Sequence, residues 1–408
     1  MKKPENKQFA LIFAFVFLDL LGYSLILPLL PFYASDFGAT ITLVGLLGTV
    51  NALGQLIAAP IIGRLSDRYG RRPLLILALS GTVLGFLLLG FANSLWMIFL
   101  SRAVDGIFGG DTALARAYIT DISEPEDRAK RLGLIGAAFG LGFIIGPVMG
   151  GVLSLAGLNV PALVAAGLAF INLVAIIIWL PESLPPSERR NMRTNPHTAF
   201  NLANLVDEMR RPCVGPLLII RLFYSFAFTL FQSNFSLYAK DVLNLSVQNT
   251  GLVLTYVGLL SVLVQGFAIG RLTKRFKERR LITMSIILLG VMLFIWGFTR
   301  QIWLLLIILA PIALSAGILN TLLTSQITKA VYKEDVGGTL GLANSMQTVA
   351  QIATPGMGGL ILSNLGPWAL GVSSSLFMIF AFLSTLGKNT RHSDLDAQSP
   401  CYQQVGNK

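Results

Sequence analysis

Twelve long apolar runs separated by polar connectors pattern the chain, at residues 8–33, 41–63, 73–93, 95–121, 131–155, 160–180, 214–239, 248–270, 280–299, 301–328, 337–362 and 366–387. Each is near the roughly 20 residues that a helix needs to cross a bilayer. The pattern predicts an all-α integral membrane protein with twelve transmembrane helices. The opening MKKPENKQ passes straight into the first run with no small-residue cleavage site, so that run predicts a retained helix and not a signal peptide. One connector is long, polar, charged and proline-bearing, and it divides the runs six and six. The predicted order is a six-helix bundle over 1–181, a cytoplasmic linker over 182–212, a second six-helix bundle over 213–390 and a cytoplasmic tail over 391–408.

The halves echo each other. GRLSDRYGRRPLL from Gly63 returns as GRLTKRFKERRLI from Gly270, an offset of 207; GPVMGG from Gly146 returns as TPGMGG from Thr354, at 208; and YASD from Tyr33 returns as YAKD from Tyr238, at 205. Three matches in one order imply two repeated bundles, the organisation of transporters that bind substrate at the bilayer midplane.

Composition agrees: 54% of the 408 residues are hydrophobic and only 12% charged, about half the share in a soluble domain. The net charge of +11 resolves by position. The N-terminus, the even-to-odd connectors and the tail hold 26 of the 31 Lys and Arg, whereas the opposite connectors hold only Lys240 and Arg300. By the positive-inside rule both termini are cytoplasmic, giving a multi-pass protein of the cell (inner) membrane. Scattered loop charges also exclude a nucleic-acid-binding stripe. Cys213 and Cys401 alone support no disulfide framework or thiol metal site, and no metal or other cofactor is expected.

Four segments carry a family resemblance. GRLSDRYGRRP (Gly63 to Pro73), DLLGYSLILPLLP (Asp19 to Pro31), RAVDGIFGG (Arg102 to Gly110) and GFIIGPVMGG (Gly142 to Gly151) resemble the major facilitator superfamily over nearly the whole chain. The last string is similar to the fifth-helix signature of its twelve-helix drug:proton antiporters, and LPES at Leu180 to Ser183 is similar to the sixth-helix ending of the tetracycline-exporter group. Acidic residues that those exporters carry in helices 3 and 9 fall on Gly85 and Leu289 here, and a helix 8 histidine falls on Ser261, so the implied pocket differs. The resemblance implies a conformational latch of Gly63, Asp67, Arg68, Gly70, Arg71 and Asp121, in which Asp67 meets the positive end of the eleventh helix and Arg71 pairs with Asp121. The second copy has Lys274 in place of the aspartate, which makes the latch asymmetric.

Six ionic residues remain inside the spans, and such residues are by default functional-site candidates. Asp19, Arg102, Asp105 and Asp111 are the proton-coupling candidates. Asp19 lies about 16 Å into the first helix, near mid-membrane. On a regular fourth helix Arg102, Asp105 and Arg116 share one face within about 60°, and Asp111 faces away unless the helix distorts at Gly109–Gly110. Arg116, Arg221, Gln232 and Asn320 are the substrate-cavity candidates, the last three because helices 7 and 10 line the cavity in the resembling family. Asn344, Gln347 and Gln351 form a polar stripe on the eleventh helix. Gly142, Gly146, Pro147, Gly150 and Gly151 remove bulk from the fifth helix, bend it and permit close packing.

The expected activity is secondary active transport: proton-coupled efflux of small amphiphilic compounds or drugs by alternating access. A metabolite facilitator or symporter, and a non-transporting receptor of the same fold, are the alternatives. The expected partners are a small-molecule substrate, protons and the lipid bilayer, with no nucleic acid, and the expected state is a monomer. No Gly-x-x-x-x-Gly-Lys-Ser/Thr loop is present, so an ion gradient and not ATP is the expected energy source.

Overall fold

The computed structural model describes residues 4–109, 111–184, 214–331 and 336–386. Each of the twelve apolar runs holds helix, and among the described residues there is no strand. The first run is divided into α1 (Pro4–Ile26) and α2 (Leu30–Asp36). Pro28 lies in the break and Pro31 in the first turn of α2, where a missing N–H costs no helical bond. Then come α3 (Ile41–Tyr69), α4 (Arg71–Gly90), α5 (Leu95–Phe108), α6 (Asp111–Ile122), α7 (Pro125–Leu153) and α8 (Val160–Trp179). The later runs hold α9 (Gly215–Asp241), α10 (Val247–Leu263), a π turn at Val264–Ala268, α11 (Ile269–Arg275), α12 (Glu278–Phe298), α13 (Ile302–Lys329), α14 (Val336–Asn364) and α15 (Pro367–Leu386).

Among the described residues nine helices are long and apolar enough to cross a membrane. The fourth run is not one of them. Gly109, at φ −69° and ψ 89°, leaves helical geometry, so α5 and α6 have only 14 and 12 residues. The single wheel drawn for Arg102, Asp105, Asp111 and Arg116 therefore does not apply across Gly109; Gly110 itself lies outside the described residues.

The described residues fall into two compact units, one drawn from 1–199 with 239–259 and the other from 200–238 with 260–408. In the first, α1 packs on α7 and α8, α3 on α5, and α4 on α5 and α8. Its core gathers Ile12 and Phe15 of α1, Leu75 and Leu79 of α4, Tyr118 and Ile119 of α6, and Ile135 and Ala138 of α7. In the second, α12 packs on α13 and α15, and α14 on α13 and α15. Large apolar side chains also stand outside the cores, among them Ile57, Ile61, Trp179, Ile287 and Ile307. In a membrane span such positions face lipid, which is as apolar as a core.

The internal repeat has a three-dimensional counterpart. The Tyr33 hydroxyl reaches the carbonyl oxygens of Leu89 (3.1 Å) and Ala92 (3.3 Å) at the end of α4. The Tyr238 hydroxyl reaches those of Trp296 (2.9 Å) and Thr299 (2.6 Å) at the end of α12. Each tyrosine reaches two carbonyls at the C-terminal end of a helix, where the chain leaves regular helical bonding.

Candidate functional site

In the first unit, α3 and α5 approach closely enough for side chains on one to reach the backbone of the other. A Cβ on Gly106 would lie 2.4 Å from the Asn51 carbonyl oxygen, and one on Gly54 would lie 2.7 Å from the Gly106 carbonyl carbon. Glycine at both positions is what permits this contact. It brings Asn51 Nδ2 to 2.9 Å from Asp105 Oδ2 and 3.3 Å from the Arg102 carbonyl oxygen, while Gln55 Nε2 donates to Asn51 Oδ1 at 2.9 Å. Arg102 NH1 stands 3.4 Å from the same Asp105 oxygen, and its Nε and NH2 reach the Ser101 hydroxyl at 3.3 and 3.2 Å. The Arg102 side chain is 4% exposed and that of Asp105 12%, so the pair is largely withdrawn from solvent. Asp105 Oδ2 thus has one amide donor and one guanidinium against it.

Gly85 of α4 lies against this carboxylate: a Cβ there would stand 3.2 Å from Asp105 Cβ. Tyr23 of α1 lies within electrostatic reach of both Asp105 and Arg102, and Asp19, half-buried, is one turn before it. Arg116 is exposed on α6. Asp111 opens α6, with its side chain outside the described residues.

The second unit holds a different centre. Arg221 of α9, 5% exposed, donates from NH1 to Asn320 Oδ1 at 2.8 Å on α13 and from NH2 to Gln347 Oε1 at 3.0 Å on α14. Its guanidinium lies 5.8 Å from the Tyr224 ring centre, and Tyr224 donates to the Ala316 carbonyl oxygen at 3.1 Å. The expected set of Arg221, Gln232 and Asn320 is therefore brought together in part. Gln232 stands exposed eleven residues farther along α9, about 16 Å at 1.5 Å per residue.

The loop residues build a third constellation. Gly70, at φ 109°, makes the turn from α3 to α4 in a conformation that disfavours any side chain. A Cβ on Gly63 would meet nothing within 4 Å, so no close approach is seen at that glycine. Arg71 NH1 reaches Asp67 Oδ1 at 2.5 Å and the Ser66 hydroxyl at 2.6 Å, and its Nε reaches Asp121 Oδ2 at 3.1 Å. Arg68 is exposed with its guanidinium 5.3 Å from the Tyr69 ring centre. The stretch at 332–335, just before α14 where Asp67 was expected to find a partner, lies outside the described residues.

Sequence reading did not anticipate Glu182, which accepts from the backbone N–H groups of Arg71 (2.8 Å) and Arg72 (3.3 Å) and caps α4 with a carboxylate. The LPES ending thus has a structural task, extended by Ser183 donating to Asp121 at 3.0 Å. Across the repeat, Glu278 replaces Arg71 and Lys329 replaces Asp121, at offsets of 207 and 208. Lys329 Nζ and Glu278 Oε1 are 2.8 Å apart, so the same tie forms with its charges exchanged, and Gln326 also donates to Glu278.

The α7 glycines divide between two neighbours. Gly142, Gly146 and Gly150 lie against α1, where a Cβ on Gly146 would fall 2.0 Å from the Ser24 hydroxyl, itself donating to the Gly142 carbonyl oxygen at 2.7 Å. Gly151 and Pro147 lie against α10: a Cβ on Gly151 would stand 3.0 Å from Gln248 Cα, and one on Gly251 would stand 2.3 Å from the Pro147 carbonyl oxygen.

Buried ionic and amide groups in apolar spans, repeated in two halves, define a membrane transport protein. A sequence model of the Major Facilitator Superfamily matches residues 12–264 and 217–399, and the chain belongs to that family. It is 32% identical to the class C tetracycline resistance protein of Escherichia coli, over 86% of this chain and 88% of that one. It is 27% identical to multidrug resistance protein 2 of Bacillus subtilis (strain 168), over 88% and 91%. Its fold is similar to that of a bacterial homologue of the human lysosomal transporter Spinster, with a TM-score of 0.74, 16% identity and coverage of 95% and 96%.

Proposed function

We propose that the protein is a proton-coupled exporter of small amphiphilic compounds, working by alternating access, with Asp105 as a proton-exchanging group and Asp19 as a second acid in its neighbourhood. The observation that carries this reading is the Asn51–Asp105–Arg102 cluster. Asn51 and Arg102 hold the Asp105 carboxyl inside an apolar span, where an ionisable side chain is by default a functional one. The resistance proteins among its relatives support export as the direction.

The same reading includes two six-helix bundles joined by the 182–212 linker, both termini in the cytoplasm, a monomer in the inner membrane, and Arg71–Asp121 as a state-dependent tie. It takes Arg116, Arg221, Gln232 and Asn320 as cavity groups.

The test uses purified protein in liposomes with an imposed pH gradient and a panel of amphiphilic compounds that includes tetracycline. Wild type is expected to accumulate at least one compound against its gradient, whereas Asp105→Asn keeps exchange and loses accumulation. Asp19→Asn measured beside it assigns the share of the second acid. Uphill transport that persists unchanged in both variants overturns the coupling role; equilibration without a pH gradient would mark a facilitator, and binding without flux a receptor.

A further inference from the structure

Arg221 is the single charged residue well inside the apolar runs of the C-terminal half. It is 5% exposed, and its two described hydrogen bonds go to neutral amide oxygens. Its Nε has no acceptor among the described residues, and neither has the buried Ser225 hydroxyl one turn farther along α9. A buried cation answered by amide dipoles and one aromatic ring, with no counter-charge bonded to it among the described residues, is costly, and each unmet donor adds to that cost. Such a centre persists where something outside the resting fold supplies the missing negative charge.

The amides add direction. Guanidinium has donors only, so Asn320 and Gln347 must turn their oxygens to it and their N–H2 groups away. Asn320 is itself exposed, as are Asn344 and Gln351 on the stripe that Gln347 shares. Amides exposed in a membrane span are tolerated where they line water and not lipid. The centre therefore joins a fixed cation and outward-facing amide donors to a hydrated face.

We infer that Arg221, with Asn320 and Gln347, is a recognition site for the anionic head of an amphiphilic substrate, a carboxylate or sulfonate carried on an apolar body. This deepens the exporter reading and rests on it for the word substrate. The amides hold the guanidinium while the site is empty, and a bound anion takes the free Nε and the N–H2 donors. Arginine suits this role because its planar fork matches a two-oxygen head group.

The test measures ligand-induced thermal stabilisation of the full chain in detergent, using aryl anions each paired with its neutral amide: 2-naphthoate with 2-naphthamide, 2-naphthalenesulfonate with its sulfonamide, and 1-pyrenebutyrate with its amide. At least one anion is expected to bind wild type about tenfold or more tighter than its amide, the scale of one charge-assisted pair. Arg221→Gln should bring that ratio to about one, with Arg221→Lys between the two. Gln347→Glu, which places a carboxylate against Arg221 and keeps the fold, should abolish the preference as well and decides the matter if Arg221→Gln is unstable. No anion preference in any pair, or a preference that survives both Arg221→Gln and Gln347→Glu, overturns the site. Arg221-dependent stabilisation by phosphatidylglycerol over phosphatidylcholine, without response to the aryl anions, assigns the site to lipid and also overturns the proposal. Anion-selective binding that remains in a transport-dead Asp105→Asn supports the site independently of coupling, and uphill transport without anion preference overturns this site alone.

Discussion

Arg102 and Arg221 are both arginines in apolar spans, 4% and 5% exposed, yet their surroundings differ in kind. Arg102 has a carboxylate three residues away that also accepts from the Asn51 amide, and its guanidinium donates to the Ser101 hydroxyl. Arg221 has two amide oxygens and the Tyr224 ring, and no carboxylate bonded to it among the described residues. The first centre contains its own counter-charge, on the acid proposed above to exchange protons. The second holds no acid, and guanidinium does not release a proton, so under the same proposal its charge is met from outside. One molecule thus carries a centre suited to proton exchange and another suited to holding an anion.

The largest test of this division moves the acid. The double substitution Asp105→Asn with Gln347→Glu keeps one additional carboxylate beside a buried arginine but in the other unit. Proton-driven accumulation in liposomes is expected to fall about 100-fold or more and not to recover, because a positioned acid acts only where it exchanges its proton productively. Recovery would erase the distinction between the centres.

The two repeat-related ion pairs give the next contrast. Arg71–Asp121 has side chains 8% and 17% exposed, and Glu278–Lys329 has 28% and 45%. Asp121→Asn is expected to cost about 3 kcal/mol, because a buried guanidinium loses a charge-assisted bond and keeps only Asp67 as its counter-charge. Glu278→Gln should cost about 0.5 kcal/mol and lose that effect in high salt. Thermal unfolding in detergent measures both, and equal costs would show that exposure does not rank these ties. Between those values lies Gly106→Ala, expected to cost about 1–3 kcal/mol because its Cβ would meet the Asn51 backbone carbonyl at 2.4 Å. Gly317→Ala in α13 should cost less, since its obstacle at 2.8 Å is a Val264 methyl that can turn aside.

Much of this was visible in the chain. The apolar runs place the helices, and Arg102, Asp105 and Arg221 stand out because charges are rare there. Asn51 and Gln55 did not, although amides at i and i+4 beside Gly54 in an apolar run are a usable sign of an interhelical polar contact. Glu278 and Lys329 were obscured because their charges are reversed relative to Arg71 and Asp121; aligning the repeat by position and not by residue type reveals them. The break at Gly109 depends on ψ at one residue, and hydropathy does not encode that angle. Glu182 was legible only as part of a family-like string, since capping α4 requires a contact 111 residues away in sequence.

The π turn at Val264–Ala268 has a consequence for the duplicated loops. An added residue in a helix advances everything after it by about 100°. The repeat offset grows from 205 at Tyr33 and Tyr238 to 207 at Gly63 and Gly270, and the π turn accommodates one of the two added residues. α3 reaches its loop without such a turn. Widening the turn to hold an added residue offsets that advance, so the π turn lets the longer second copy bring its GRL segment to the loop without carrying the whole rotation into it.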